Sequence, residues 1–392
     1  MNARILLRPI QKFLKVESIG GIVLFGSTLL ALAWANSPWG DSYQELWQYK
    51  IGFSIGDFSL FKPLILWIND GLMALFFFVV GLEIKRELIV GELNTLQKAS
   101  LPIIGAVGGM AIPILVFLLL SKNPDASHGW GIPMATDIAF TLAILKTLGN
   151  RIPLGLKVFL TAFAIVDDIG AVLVIALFYS ESVEWTYVLY AAAPLALLYF
   201  LSLRRVYAPI LILLFGIVIW YLFLKSGLHP TIAGILLAFA VPLTGRGKRA
   251  EPLPHLEHQL HNYVAYLVVP LFALSNAGIS FGMGISMDWQ VVIAIAAGLV
   301  VGKVLGVGLL SFLGVRLGWA RLPESVNFKQ IFGVAFLAGV GFTMSLFIAN
   351  LAFVDHPELM GAAKVGILIG SAVAGAAGWV LLRISSKKPV GA

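Results

Sequence analysis

Apolar residues run along this chain in long, almost uninterrupted stretches, separated by short segments in which charge collects. An α-helix rises ~1.5 Å per residue, so about 20 apolar residues cover the ~30 Å hydrocarbon core of a bilayer. Twelve stretches reach that length, some of them barely: 18–36, 64–87, 100–120, 131–147, 154–178, 186–202, 207–224, 226–243, 258–277, 289–313, 329–352 and 360–383. No linker, low-complexity tract or soluble domain divides them. Residues 1–392 therefore read as one transmembrane domain, with a segment 1–17 before the first span and a tail 384–392 after the last. The pattern predicts an all-α polytopic membrane protein of about twelve helices.

Two spans look broken. Span four is short, carries Pro133 near its start and holds Thr136-Asp137; span eleven has Gly339-Val-Gly-Phe-Thr-Met-Ser345 at its centre, a run poor in helix formers. Interrupted helices in corresponding halves of a membrane protein mark ion sites, because unwound backbone and half-helix ends coordinate charge. Spans three to five and ten to twelve are seven apart, and an odd offset makes the two triplets run in opposite directions, as an inverted repeat requires. Their outer members are both glycine-rich (Gly105, Gly108, Gly109; Gly298, Gly302, Gly306). Between spans one and two, the alternation around Gly56-Asp57 predicts a short β-hairpin over 48–62, with a solvated loop as the plain alternative. An exposed hairpin edge is a natural pairing surface for a second subunit.

Composition agrees with this reading. Hydrophobic residues make up 59% of 392 and charged residues 12%, too little charge to cover a soluble surface. The basic residues fall on one side of the spans. Assigning alternate connections to the cytoplasm places 21 of the 27 Lys and Arg there, from Arg4 to Lys388, against Lys50, Lys62, Lys122 and Lys225 opposite; Lys303 and Lys364 lie within spans. That asymmetry puts both termini in the cytoplasm and the hairpin in the periplasm. With no contiguous basic stripe, nucleic-acid binding is excluded. With no cysteine, disulfides and thiolate metal sites are excluded, and no cofactor is expected. The basic start, the apolar run 19–32 and small Ala31-Leu-Ala33 imitate a secretory signal, but the run is also long enough to serve as a first span.

The chemistry lies in the charges that interrupt span five. Asp167 and Asp168 are each about ten residues from either end, roughly 15 Å deep. An aspartate at a helix centre costs about 2.5–3.5 kcal/mol to insert, so this helix must face protein or water. The plain alternative is two carboxylates satisfied by buried partners. Lys303 is the matching deep cation, a counter-charge that can also titrate. Asp137, beside Thr136 in a broken helix, either compensates the positive end of a half-helix or lines the path. Carboxylate, hydroxyl and freed carbonyl oxygens suit a hard cation such as sodium or lithium, so Asp167, Asp168 and Thr136 form the candidate ligand set. The same carboxylates bind protons. Protons and the cation then compete for one site, and if only a loaded site reorients, competition alone yields exchange.

At these residues the chain resembles the NhaA family of bacterial sodium/proton antiporters. The resemblance runs from about Gly20 to Arg383 and rests on Leu66-Trp-Ile-Asn-Asp-Gly-Leu-Met-Ala-Leu-Phe-Phe, Val80-Gly-Leu-Glu-Ile-Lys-Arg-Glu-Leu88, Ala135-Thr-Asp-Ile-Ala-Phe140 and Ala164-Ile-Val-Asp-Asp-Ile-Gly-Ala171. Leu224-Lys-Ser-Gly-Leu-His229, Pro270-Leu-Phe-Ala-Leu-Ser-Asn-Ala-Gly278 and the glycine-rich run of span eleven also match. It implies an inverted-repeat fold with crossed, broken spans four and eleven, and an inner-membrane location. It further implies an ion site at Asp167 and Asp168, with Asp168 the principal ligand. Asp167 would exchange partners with Lys303, and Asp137 would compensate the helix ends. Electrogenic exchange and a homodimer through the Lys50–Lys62 hairpin follow from the same resemblance, and the matching first span argues that it is retained.

The resemblance also implies pH sensing by Glu83, Arg86 and Glu87, by Glu257 and His258, and by His229. Glu83, Arg86 and Glu87 share one face of a helix end and also read as a surface ion-pair set. Upstream of Glu257 the sequence departs from the family, with Glu251-Pro-Leu-Pro-His255 where a sensor lysine is expected. His255, His258 and His261 recur every three residues, but without an acidic ligand pattern they make a poor metal site. His229 reads equally as a packing histidine.

Two rival readings use the same residues. An intramembrane aspartyl protease needs its two aspartates on separate helices and a Gly-x-Gly-Asp pattern, which is absent. A sodium-coupled symporter needs further polar groups for a substrate, and the spans offer few.

Overall fold

The structure, a computed structural model, describes residues 3–55, 58–180, 182–245, 251–280 and 287–386. The expected hairpin turn Gly56-Asp57, the basic cluster at 246–250 and the tail beyond Ser386 lie outside them. So do the side chains of the basic residues before span one.

Helix forms in each of the twelve apolar stretches. Seven helices are long and apolar enough to cross a membrane unbroken, and counting two bent pairs as spans brings the total to nine among the described residues. The remaining stretches are shorter or interrupted. Span four divides into a 3-10 helix, Asp125–Met134, and an α-helix, Ile138–Thr147. Span eleven divides into Phe328–Ala338 and Phe342–Ala352, bent by 42°. Both breaks fall where the sequence predicts them.

The described residues group into two compact units. The first draws on Met1–Leu24, Glu92–Ala171 and Met283–Ala392, and so holds both triplets of the expected repeat except the end of span five beyond Ala171. Its apolar core joins Leu142, Leu156, Phe163, Val307, Ile331 and Val334. The glycines of the two outer members meet inside it: a Cβ on Gly108 would strike the carbonyl of Gly306, and one on Gly306 the carbonyl of Gly108. Lipid supplies no hydrophobic drive between helices, so packing there relies on small residues that let backbones approach.

The second unit draws on Phe25–Gly91 and Val172–Gly282, with a core around Phe78, Leu82, Ile219 and Phe223. Strands β1 (Lys50–Ile55) and β2 (Phe58–Pro63) pair antiparallel in the register Ile51↔Lys62 and Phe53↔Leu60. Gln48, expected in the hairpin, instead ends a nine-residue helix, Gly40–Gln48, set at 113° to span one. That helix is amphipathic, burying Tyr43 and Trp47, and is too short and polar to register as a span. The Tyr43 hydroxyl donates to the carbonyl of Leu274 at 2.8 Å and accepts the N–H of Gly278 at 3.1 Å, which ties it to the end of span nine.

Candidate functional site

The first unit gathers the deep charges. Span four unwinds at Ala135–Asp137 because Asp137 takes the N-cap position of Ile138–Thr147, its Oδ1 accepting the N–H of Phe140 at 2.9 Å. Oδ2 of the same carboxylate accepts the N–H of Thr343 at 3.0 Å, near the start of the second half of span eleven, and the Thr343 hydroxyl donates to it as well. One carboxylate thus meets the positive ends of two half-helices, where a negative charge is favoured. The breaks are stitched further by the hydroxyls of Thr136 and Thr141, which donate to the carbonyls of Ala338 and Leu337 at 2.9 and 3.1 Å. Ser345 donates to the carbonyl of Ile132 at 2.8 Å. Each bond ties a side chain of one span to the main chain of the other across the two breaks.

Lys303 enters this arrangement from span ten with none of its surface exposed. Its ammonium donates to the carbonyl of Met134 at 2.5 Å, to Thr136 Oγ1 at 2.9 Å and to both carboxylate oxygens of Asp167 at 3.3 and 3.4 Å. The face of Phe163 lies 5.8 Å from it. The Thr136 hydroxyl oxygen thus accepts from the cation while it also lies within reach of the Ala338 carbonyl. Lys303 stands between two π-helical stretches, Gly298–Gly302 and Val304–Leu309, a widening often found at functional positions. Asp167 and Asp168 are 1% and 5% exposed. The structure therefore brings Asp167, Thr136 and Lys303 into direct contact, with Asp137 one residue from Thr136 and Asp168 one residue from Asp167.

The second unit gathers the acidic and basic residues expected to sense pH. Arg86 donates from Nε to Glu257 at 2.9 Å and lies 2.7 Å from Glu87 through Nη1. Glu83 lies 3.5 Å from Nδ1 of His261. Glu83, Glu87 and Glu257 are all buried, so this is an interior network rather than a surface ion-pair set. Glu257 lies ahead of the apolar stretch of span nine. Burial pushes its carboxyl up to about 7, over the opposing pull of Arg86 and with help from Glu83. His258 is exposed, and His261, one turn beyond Glu257 on the same helix face, joins the network through Glu83. No group of three or more His, Cys, Asp or Glu that could hold a metal ion forms among the described residues.

His229 sits apart from these. Its Nδ1 is 2.7 Å from the hydroxyl of Thr231 and its Nε2 3.8 Å from Asp70, which is itself bridged by Lys62 of β2 at 3.0 Å. Asp70 and the neighbouring amide pair of Asn69 and Asn276, with bonds of 2.9 and 3.3 Å, were not read from the sequence. Both belong to runs, Leu66–Phe77 and Pro270–Gly278, whose polar residues interrupt apolar stretches, and that was the available signal.

Residues 11–382 match the family model described as Na+/H+ antiporter 1. A curated protein of Glaesserella parasuis serovar 5, named Na(+)/H(+) antiporter NhaA, is 46% identical over 385 residues, covering 97% of each chain. One of the same name from Yersinia enterocolitica is 48% identical over 381 residues, covering 96% of this chain and 97% of its own.

Proposed function

The chain belongs to the Na+/H+ antiporter 1 family, and from that premise we propose that it exchanges sodium or lithium for protons by competition at Asp167 and Asp168. Family membership makes it a transporter rather than a catalytic enzyme and sets aside the protease reading. The observation that carries the proposal is the seat of the Lys303 ammonium. Met134 carbonyl, Thr136 hydroxyl and Asp167 carboxylate are an all-oxygen set of the kind a hard cation requires, and a positive charge already occupies it. Two positive charges cannot share those oxygens. Sodium binding at Asp168 and Asp167 displaces the ammonium from Asp167 or drives off its proton.

Where the ammonium loses its proton, exchange is electrogenic. One proton released from the aspartate pair and one from Lys303 for each sodium bound moves a net charge across the membrane in every cycle. In this reading the protein lies in the bacterial inner membrane with both termini cytoplasmic, on the strength of its Lys and Arg distribution. The cluster around Glu83, Arg86, Glu87 and Glu257, with His258 at its edge, then faces the cytoplasm and responds to pH, as does His229 near the opposite face. A homodimer forms through the Lys50–Lys62 edge.

Purified protein in liposomes tests the central claim. A pH jump should drive sodium and lithium movement, and an imposed membrane potential, about 2.3 kcal/mol per charge per 100 mV, should drive sodium uphill without a pH gradient. Sodium flux indifferent to potential would rule out unequal exchange, and no sodium-dependent proton movement would overturn the function.

A further inference from the structure

The half-helix Phe342–Ala352 starts at the break in span eleven, and the first N–H groups of a helix have no partner within it. Gly341, at its N-cap position, has no side chain to take one. Asp137 takes the N–H of Thr343. The N–H of Phe342 goes elsewhere: it donates to Oγ of Ser371, 3.2 Å away, a buried residue in the middle of span twelve, Pro357–Ser385. We propose that Ser371 is a positioning residue for ion exchange, holding the start of this half-helix so that the Asp137 carboxylate stays free to join the two breaks. The inference rests on the ion-site reading above.

A carboxylate offers about four lone-pair directions. Asp137 already uses at least three of them, on the Phe140 N–H, the Thr343 N–H and the Thr343 hydroxyl. Without the Ser371 hydroxyl, the Phe342 N–H is left in an apolar interior beside a carboxylate serving its neighbour. Any shift of Asp137 toward Phe342 draws on the Phe140 bond and moves Thr136, the next residue, whose hydroxyl accepts from Lys303. Span twelve is close enough for so short a side chain because small residues line it here. A Cβ on Gly339 would press on Ala374, one on Gly375 would touch Val340, and one on Gly370 would press on Leu299. Ser371 therefore couples span twelve to Lys303 through Phe342, Thr343, Asp137 and Thr136.

Sodium-dependent exchange by the full-length protein in liposomes tests this, with Ser371→Ala, Ser371→Thr, Asp168→Asn and the unaltered protein compared, and thermal unfolding measured for each. Ser371→Ala should raise the KM for sodium roughly fivefold, the size of one net hydrogen bond, and lower the melting temperature by a few degrees. Ser371→Thr, which keeps the hydroxyl, should restore the KM. If Ser371→Ala does not fold, Ser371→Cys, a weak acceptor of similar size, should give an intermediate KM. An unchanged KM in the folded variant, with or without a lower melting temperature, would overturn the positioning role. Failure of the underlying reading looks different: the unaltered protein shows no sodium-dependent exchange, or Asp168→Asn exchanges normally.

Discussion

The main-chain N–H of Asp137 donates to the carbonyl of Val340 at 2.7 Å, so the breaks in spans four and eleven are joined backbone to backbone. The side chain of Asp137 then reaches Thr343 on the far side of the second break. One residue thus closes open donors and acceptors in both spans. In hydrocarbon, irregular backbone survives only where such partners exist.

Removing the Asp137 carboxylate should therefore destabilise the fold. Asp137→Ala leaves the N–H groups of Phe140 and Thr343 without their acceptor, at about 1–3 kcal/mol for each buried orphan. Asp137→Asn keeps one acceptor oxygen and should fall between. Thermal unfolding in detergent orders the three proteins, and an Asp137→Ala variant as stable as the original would dismiss the role.

Asp168 and Lys303 should separate binding from charge movement. Asp168→Asn keeps the size and removes the charge, so sodium binding should vanish while the protein inserts and folds. Lys303→Ala removes the cation that competes for Asp167, so it should bind sodium at least as well. It also leaves a buried carboxylate unpaired, a loss of about 3–5 kcal/mol in stability, and should make exchange insensitive to membrane potential. Direct sodium-binding measurements beside potential-driven flux check both; undiminished binding by Asp168→Asn removes that residue from the site.

Much of this site was legible because charge is rare in apolar runs. Asp167, Asp168 and Lys303 stand out by insertion cost alone, and the glycines of span eleven mark its break. Three features were not legible. The carboxylate of Asp137 meets a residue 206 positions away, a pairing that no local pattern encodes. The π-helical stretches beside Lys303 have the composition of ordinary apolar helix. Ser371 looks like one more small residue in a span rich in them. His261 was read only for its histidine spacing, yet it lies four residues from Glu257 on the same helix face and beside Glu83.

Glu257 carries a pH signature with a definite sign. Its carboxyl rises from 4.5 to about 7 in the folded protein because burial outweighs Arg86, while Glu83 adds like charge and His261 opposes it. The folded state therefore holds a proton that the unfolded state releases. The stabilisation is complete below about pH 4.5 and is lost as pH rises through about 7. Glu257→Gln, which mimics the protonated form, should flatten the melting temperature across that window and shift the pH profile of exchange. Parallel curves for the two proteins would show that Glu257 does not titrate there.

Under the proposed shared site, where Asp167 holds Lys303 beside Asp168, protons and sodium should compete. A protonated carboxyl offers the cation no charge, so apparent sodium affinity should weaken as pH falls. Where one proton must leave for each ion bound, the loss approaches tenfold, about 1.4 kcal/mol, per pH unit. Where Lys303 must also lose its proton, the slope steepens toward a hundredfold. High sodium should then restore the maximal rate at mildly acidic pH, because the ion displaces the protons by mass action. A sensor acting through Glu257 and Arg86 makes a different mark: it lowers the maximal rate at acidic pH and leaves affinity unchanged. Rate measured against sodium at several pH values distinguishes them. Curves that converge at high sodium support one shared site, and curves that stay apart with equal KM would defeat pure competition.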